Sequence, residues 1–199
     1  MLELESIDKR FKTQVFKDYS CVFKNNKIYF LSGPNGSGKS TLLKLVKGIY
    51  MCDKGKIKLD HNLDQKNDVI YVDGNFRTFF HRLTVRQNLE YFFSLQSESN
   101  NRNSLNNLLN YFNVLNLQDK IFSSLSQGQM QIISLIRGLS PKPKVILLDE
   151  VFSSLDKNNK ERAFNYLSNF TQKEKKSLVI FTSHENSHKI MEFDEICLS

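Results

Sequence analysis

Gly33, Gly38, Lys39 and Ser40 stand at the spacing G-x-x-x-x-G-K-[ST] within FLSGPNGSGKSTLL. The apolar run KIYFLS precedes them and alternates like a strand, and STLLKLVKGIY follows with helical spacing. A strand, a glycine turn and a helix start form a cradle for phosphate. Successive backbone N–H groups point inward, and the helix N-terminus adds partial positive charge. In such a cradle Lys39 reaches the β- and γ-phosphates, and the Ser40 hydroxyl binds Mg²⁺. The plainer reading, a loop that is merely glycine-rich, is weakened by the strand–turn–helix setting. A second pair of chemical groups closes VILLDE (145–150), where Asp149 and Glu150 follow a buried-type strand. In a parallel sheet the carboxyl end of a strand faces the ligand crevice. Asp149 is expected to hold Mg²⁺, through water, and Glu150 to polarise the attacking water as general base. An acidic turn is the alternative, and the glycine loop upstream favours the functional reading.

The elements that must position these groups are readable as a coarse pattern. Residues 2–7, about 12–23, 27–32, 55–60, 68–73, 144–150, 177–183 and 194–199 read as strands. Residues 40–50, TVRQNLEYFFSL (84–95), NSLNNLLNYFNVL (103–115), 127–140, 157–175 and ENSHKIMEF (185–193) read as helices. Thr84 followed three residues later by Gln87 predicts a capping box. Gly138 and the prolines at 141 and 143 are expected to close the helix from 127. The stretch 75–125 lacks strand signals, and GNFRTFFHRL within it is expected to be an aromatic loop. Continuous apolar strands alternating with helices argue a parallel sheet covered on both faces. The class is α/β.

Composition narrows the setting. A chain of 199 residues suggests one domain, or one with a small subdomain. Its apolar runs are too short to span a bilayer, and MLELESIDKRF carries no signal pattern, so a cytoplasmic place is expected. Cys21, Cys52 and Cys197 show no metal spacing and read as free thiols. The net charge of +7 is spread along the chain, not gathered in a block, and reads mostly as solvated surface.

Taken with three further stretches, the chain resembles the nucleotide-binding domain of ABC (ATP-binding cassette) ATPases over its whole length. GPNGSGKST has that family's phosphate-loop form, LSQGQ (125–129) resembles its signature, SSLD (153–156) its D-loop and FTSH (181–184) its switch histidine. The resemblance implies a P-loop NTPase of ABC type: a mostly parallel core sheet, N-terminal antiparallel strands, and a helical subdomain over about 75–140. It implies ATP and Mg²⁺ as cofactors. Gly33, Pro34, Asn35, Gly36, Ser37, Gly38, Lys39, Ser40 and Thr41 would hold the phosphates, and Ser40 and Asp149 the metal. Phe11 would stack on adenine, or be ordinary core. Two domains would pair head to tail, as a homodimer or with a related ATPase, around two ATP. Ser126, Gly128 and Gln129 would then meet the γ-phosphate held by the opposite copy, and Asp156 would report across the interface. Ser126 and Asp156 also read as plain helix N-caps. His184 would hydrogen-bond the γ-phosphate and orient Glu150, with Lys39 the third catalytic group.

Three departures stand out. Gln127 replaces a glycine of the signature. Val151 follows the two acids where a proline is usual, which is expected to loosen that turn. Asp73, Gly74 and Asn75 stand where the family has a glutamine that contacts Mg²⁺ and senses the membrane partner. Phe76, Phe79, Phe80, Tyr91, Phe92, Phe93, Tyr111 and Phe112 read mostly as subdomain core, with three or four of them lining an exposed groove. The resemblance implies a transmembrane permease subunit as partner, holding the chain at the inner face of the membrane, and no specific nucleic acid. Export of an antimicrobial peptide or drug is the first expectation. A haem-export ATPase of cytochrome c maturation is the second, and a soluble ATPase of translation or DNA repair belongs to a different class.

Overall fold

The computed structural model describes residues 1–95, 102–139, 143–174, 177–183 and 192–198. Five strands form a wholly parallel sheet in the order β5(Val69–Asp73), β6(Val145–Asp149), β7(Leu178–Thr182), β3(Lys27–Ser32), β8(Asp194–Cys197). A second, antiparallel sheet has the order β2(Gln14–Phe23), β1(Leu2–Arg10), β4(Lys54–Leu59).

Alternation of side chains along the parallel strands separates two cores. Tyr29, Leu31, Val69, Leu147 and Ile180 face α1(Lys39–Lys47) and the antiparallel sheet. Ile28, Phe30, Ile70, Val72, Ile146, Leu148, Val179 and Phe181 face the other way. There they meet α4(Gln127–Leu139), α5(Lys157–Lys173) and the helices α2(Val85–Ser94) and α3(Arg102–Tyr111). Burial on both faces explains why Val145–Asp149 and Leu178–Thr182 are buried throughout. KIYFLS departs from its expected alternation for the same reason: it lies between β7 and β8, and Ile28–Leu31 are all buried.

Helix ends follow backbone chemistry. The Thr84 capping box is present in both directions, with Thr84 Oγ1 accepting from Gln87 N–H and Gln87 Oε1 from Thr84 N–H. The helix expected over 40–50 stops at Lys47, because Gly48 takes φ 79° and caps it. The helix expected over 103–115 ends at Tyr111, where Asn113 turns left-handed at φ 57°, and a short 3-10 turn follows at Leu115–Leu117. Within the aromatic loop, Phe76–Thr78 form another such turn. Of the helix expected over 185–193, residues up to 191 lie outside the described residues, and Glu192 and Phe193 are not helical.

Gly138 corrects one expectation. It does not terminate α4, which runs on to Leu139. It is instead a close-approach position: a Cβ there would lie 2.4 Å from Val72 Cγ2 and 2.9 Å from Ile70 Cδ1, both on β5. Gly138→Ala is therefore expected to cost about 1–3 kcal/mol by overpacking. A lowered urea midpoint at unchanged slope is the expected result, and an unchanged midpoint would contradict the packing described.

Candidate functional site

The phosphate-loop residues Gly33–Ser40 connect β3 to α1. Gly33, Gly36 and Gly38 have φ of 140°, 86° and 98°. Only glycine fits at Gly33, where a Cβ would stand 2.4 Å from the Leu198 carbonyl oxygen, and at Gly38. Of the two, Gly38 sets the start of the helix. It caps the N-terminus of α1 in the left-handed region, and a Cβ would stand 2.7 Å from the Phe16 ring. A Cβ at Gly36 would meet nothing within 4 Å, so the loop is open on that side. The first N–H groups of α1 have no partner within the helix by geometry. Lys39 is 8 % exposed, and its ammonium donates to the carbonyls of Gly33 (2.7 Å) and Pro34 (3.0 Å), spanning the loop. The Ser37 hydroxyl is buried and has no hydrogen-bond partner among the described residues.

Asp149 lies next to this loop because β6 ends beside it. It is 7 % exposed, and three hydroxyls surround its carboxylate. Ser40 Oγ and Thr182 Oγ1 each donate to Oδ1 at 2.9 Å, and Tyr71 OH donates to Oδ2 at 2.7 Å. The flanking strands fix this: β5 pairs Asp73 with Asp149, and β7 pairs Phe181 with Leu148. Burial first, and then the hydrogen bond to Asp149, push the Tyr71 phenol far above the usual range, so it remains a donor.

Glu150 has φ 57°, the left-handed region, an arrangement that costs a non-glycine residue about 1 kcal/mol or more. Its backbone is held on both sides. Its N–H donates to Thr182 Oγ1 (3.0 Å), and its carbonyl accepts from Ser153 Oγ (2.9 Å). Val151 and Phe152 after it are fully buried, so the turn is anchored although it lacks a proline.

The remaining candidates fall in a different place. Ser126, Gly128, Gln129 and Asp156 line one polar groove of about 570 Å³, with Asn113, Asn159 and Arg162; no phosphate-loop residue lines it. Ser126 and Gln129 form a reciprocal capping box at the start of α4, with Ser126 Oγ accepting from Gln129 N–H (3.3 Å) and Gln129 Oε1 from Ser126 N–H (3.1 Å). Asp156 caps α5, accepting from Asn159 N–H at 2.8 Å. Both N-cap readings therefore hold. Gly128 is packed against its own chain, since a Cβ would lie 2.9 Å from the Ser154 carbonyl oxygen. Phe11 is 49 % exposed, with its ring edge-on to Tyr50 at 5.2 Å, and so is not core. His184 lies outside the described residues.

The residues in place of the missing glutamine serve the local backbone. Asp73 accepts from Asn75 N–H (3.2 Å), and Asn75 caps the short turn by accepting from Arg77 N–H (3.0 Å). Of the aromatic group, Phe79 and Phe112 are buried, whereas Phe80 and Tyr91 are exposed and meet edge-on at 4.9 Å. Buried Asn88 anchors that segment through Phe80 N–H (2.8 Å) and Phe80 carbonyl (3.0 Å).

Sequence reasoning missed Tyr71, Thr182 and Arg137. A tyrosine in an otherwise aliphatic strand is the one available signal, because a buried phenol needs a partner. Arg137 places its guanidinium over Phe79 (4.3 Å) and Phe92 (4.7 Å) and donates to Thr78 Oγ1 (2.7 Å). It does so from a helix face that its neighbours suggest is apolar.

The sequence model of the ABC transporter family matches residues 16–153. The sulfate/thiosulfate import ATP-binding protein CysA of Nephroselmis olivacea is 31 % identical over 206 residues, covering 96 % of this chain and 60 % of its own length. The lipopolysaccharide export system ATP-binding protein LptB of Haemophilus influenzae is 32 % identical over 169 residues, covering 78 % of this chain and 69 % of its own. Among solved structures, the ATP-binding cassette MJ0796, dimeric and bound to ADP and Pi, superposes with a TM-score of 0.85 at 21 % identity, covering 100 % of this chain and 94 % of that one. That likeness speaks for the fold. The family match across most of the chain, together with a phosphate loop set beside an acid-ended strand, means that this chain belongs to the ABC transporter family.

Proposed function

We propose that the chain is the ATP-binding and ATP-hydrolysing subunit of an ABC transporter, working through a separate transmembrane permease. One observation carries the dimeric form of this reading. The phosphate loop with its acids, and the groove of Ser126, Gly128, Gln129 and Asp156, are separate half-sites on one chain. Two copies placed head to tail would bring each loop against the other's groove.

Within the loop, Gly33–Thr41 hold the phosphates through backbone N–H groups, and Lys39 exchanges its two carbonyl partners for phosphate oxygens. The donors present fit Mg²⁺: Ser40 Oγ and Asp149 Oδ1 are hard oxygens 2.9 Å apart at the mouth of the cradle. When bound, Mg²⁺ supplies charge neutralisation on the phosphates. Glu150, with its backbone fixed, takes a proton from the attacking water. His184 is assigned to orienting that water, Phe11 to the adenine and Asp156 to contact across the dimer, by family resemblance. The helical segment over about 75–140 is the inserted subdomain, which agrees with its position between β5 and β6, neighbours in the sheet.

Among the described residues no helix is long and apolar enough to cross a membrane. Family resemblance assigns the permease to another polypeptide and this chain to the inner membrane face. The exposed Phe80 and Tyr91 offer that partner an apolar contact. For direction, export of an antimicrobial peptide or drug is the leading reading, supported by this aromatic segment and by likeness to a lipopolysaccharide export protein. Likeness to a sulfate/thiosulfate import protein favours import. Purification from membranes with identification of the bound permease tests both. A permease of an export family is expected, whereas an import permease would reverse the direction. Recovery with ribosomes or DNA instead would replace the transporter reading.

A further inference from the structure

We propose that Tyr71 is a positioning residue of the metal site, aiming Asp149 through a hydrogen bond from the strand that leads into the partner-facing segment. The inference rests on the ATP and Mg²⁺ reading above and goes beyond it, because it assigns work to a residue outside the phosphate loop and the acid pair.

A carboxylate that serves a metal needs one oxygen presented and the other restrained. At Asp149 the two oxygens are treated differently. Oδ1 faces Ser40 and Thr182, at the cradle, while Oδ2 receives the Tyr71 phenol at 2.7 Å. Tilting the carboxylate about its last bond would break the Tyr71 contact, so the phenol fixes the plane in which the other oxygen meets the cradle.

The same residue also borders a surface groove. Tyr71 lines a groove of about 420 Å³ at the free edge of β5, together with Lys47, Thr78, Phe92 and Arg137. Two and four residues further on, Asp73 and Asn75 spend their side chains on local backbone caps. Tyr71 is thus the side chain of this strand that the structure connects to Asp149, and any displacement of β5 at the groove acts on the carboxylate through 2.7 Å of hydrogen bond.

Outer partners of metal ligands characteristically change metal affinity about 10- to 100-fold when removed. Tyr71→Phe removes the hydroxyl and keeps the ring. Two affinities are measured on wild type and variant: ATP in EDTA by calorimetry, and Mn²⁺ at saturating ATP by electron paramagnetic resonance. The expected result is unchanged ATP affinity in EDTA with Mn²⁺ bound about 10-fold more weakly. Equal Mn²⁺ affinity in the two proteins would overturn the proposal, and so would parallel loss of both affinities, the mark of a general structural lesion. Thr182→Val, which strips a hydroxyl from Oδ1, supplies the second variant: if Tyr71→Phe does not fold, a Thr182→Val protein with unaltered Mn²⁺ affinity would equally contradict positioning of Asp149 by its hydroxyl neighbours. Failure of the wild type to bind Mn²⁺ with ATP would instead refute the underlying site reading.

Discussion

Lys39→Ala is expected to weaken ATP binding about 100-fold. The ammonium is nearly buried and already spans the loop between two carbonyl oxygens, so its position is set before any phosphate arrives. Each hydrogen bond to a charged group contributes about 1.5–3 kcal/mol, and a loss of about 3 kcal/mol corresponds to roughly 100-fold in Kd. Truncation also leaves the Gly33 and Pro34 carbonyls without this donor, so thermal unfolding should be followed alongside calorimetric titration. A folded variant with wild-type affinity would take the phosphate out of this loop.

Glu150→Gln is expected to lower the rate of phosphate release by about 10²–10⁴, the contribution typical of a general base. ATP affinity should stay within a few-fold of wild type. The reason lies in the backbone. Glu150 is held in the left-handed region by Thr182 and Ser153, through main-chain atoms that the substitution leaves untouched. The amide keeps the shape and loses the ability to accept the proton. Turnover at the wild-type rate would remove Glu150 from the role of base.

Which of these features the sequence could disclose depended on how local their cause was. The phosphate loop was legible because its glycines, Lys39 and Ser40 are contiguous and their backbone requirements are local. The Thr84 capping box was legible for the same reason. The buried strands β6 and β7 showed as apolar runs, since both faces are covered. What stayed hidden is made by register across strands. Tyr71 and Thr182 meet Asp149 only because β5, β6 and β7 stand side by side, and no spacing along the chain encodes that. Gly138 misled for a similar reason. A glycine near a helix end looks like a terminator, but this one is required by the approach of Val72 and Ile70 from another element. Ser126 and Asp156 bear two readings at once: each caps its own helix, and each lines the groove that a second copy would meet.

That double reading leads to the most direct test. Glu150→Gln protein, saturated with MgATP, should be weighed in solution by light scattering after gel filtration, beside the same protein without nucleotide. A head-to-tail pair closed over unhydrolysed ATP predicts twice the single-chain mass with nucleotide, returning to a single chain when Ser126→Arg blocks the groove. A single-chain mass at full nucleotide occupancy would contradict the two half-sites being parts of one site.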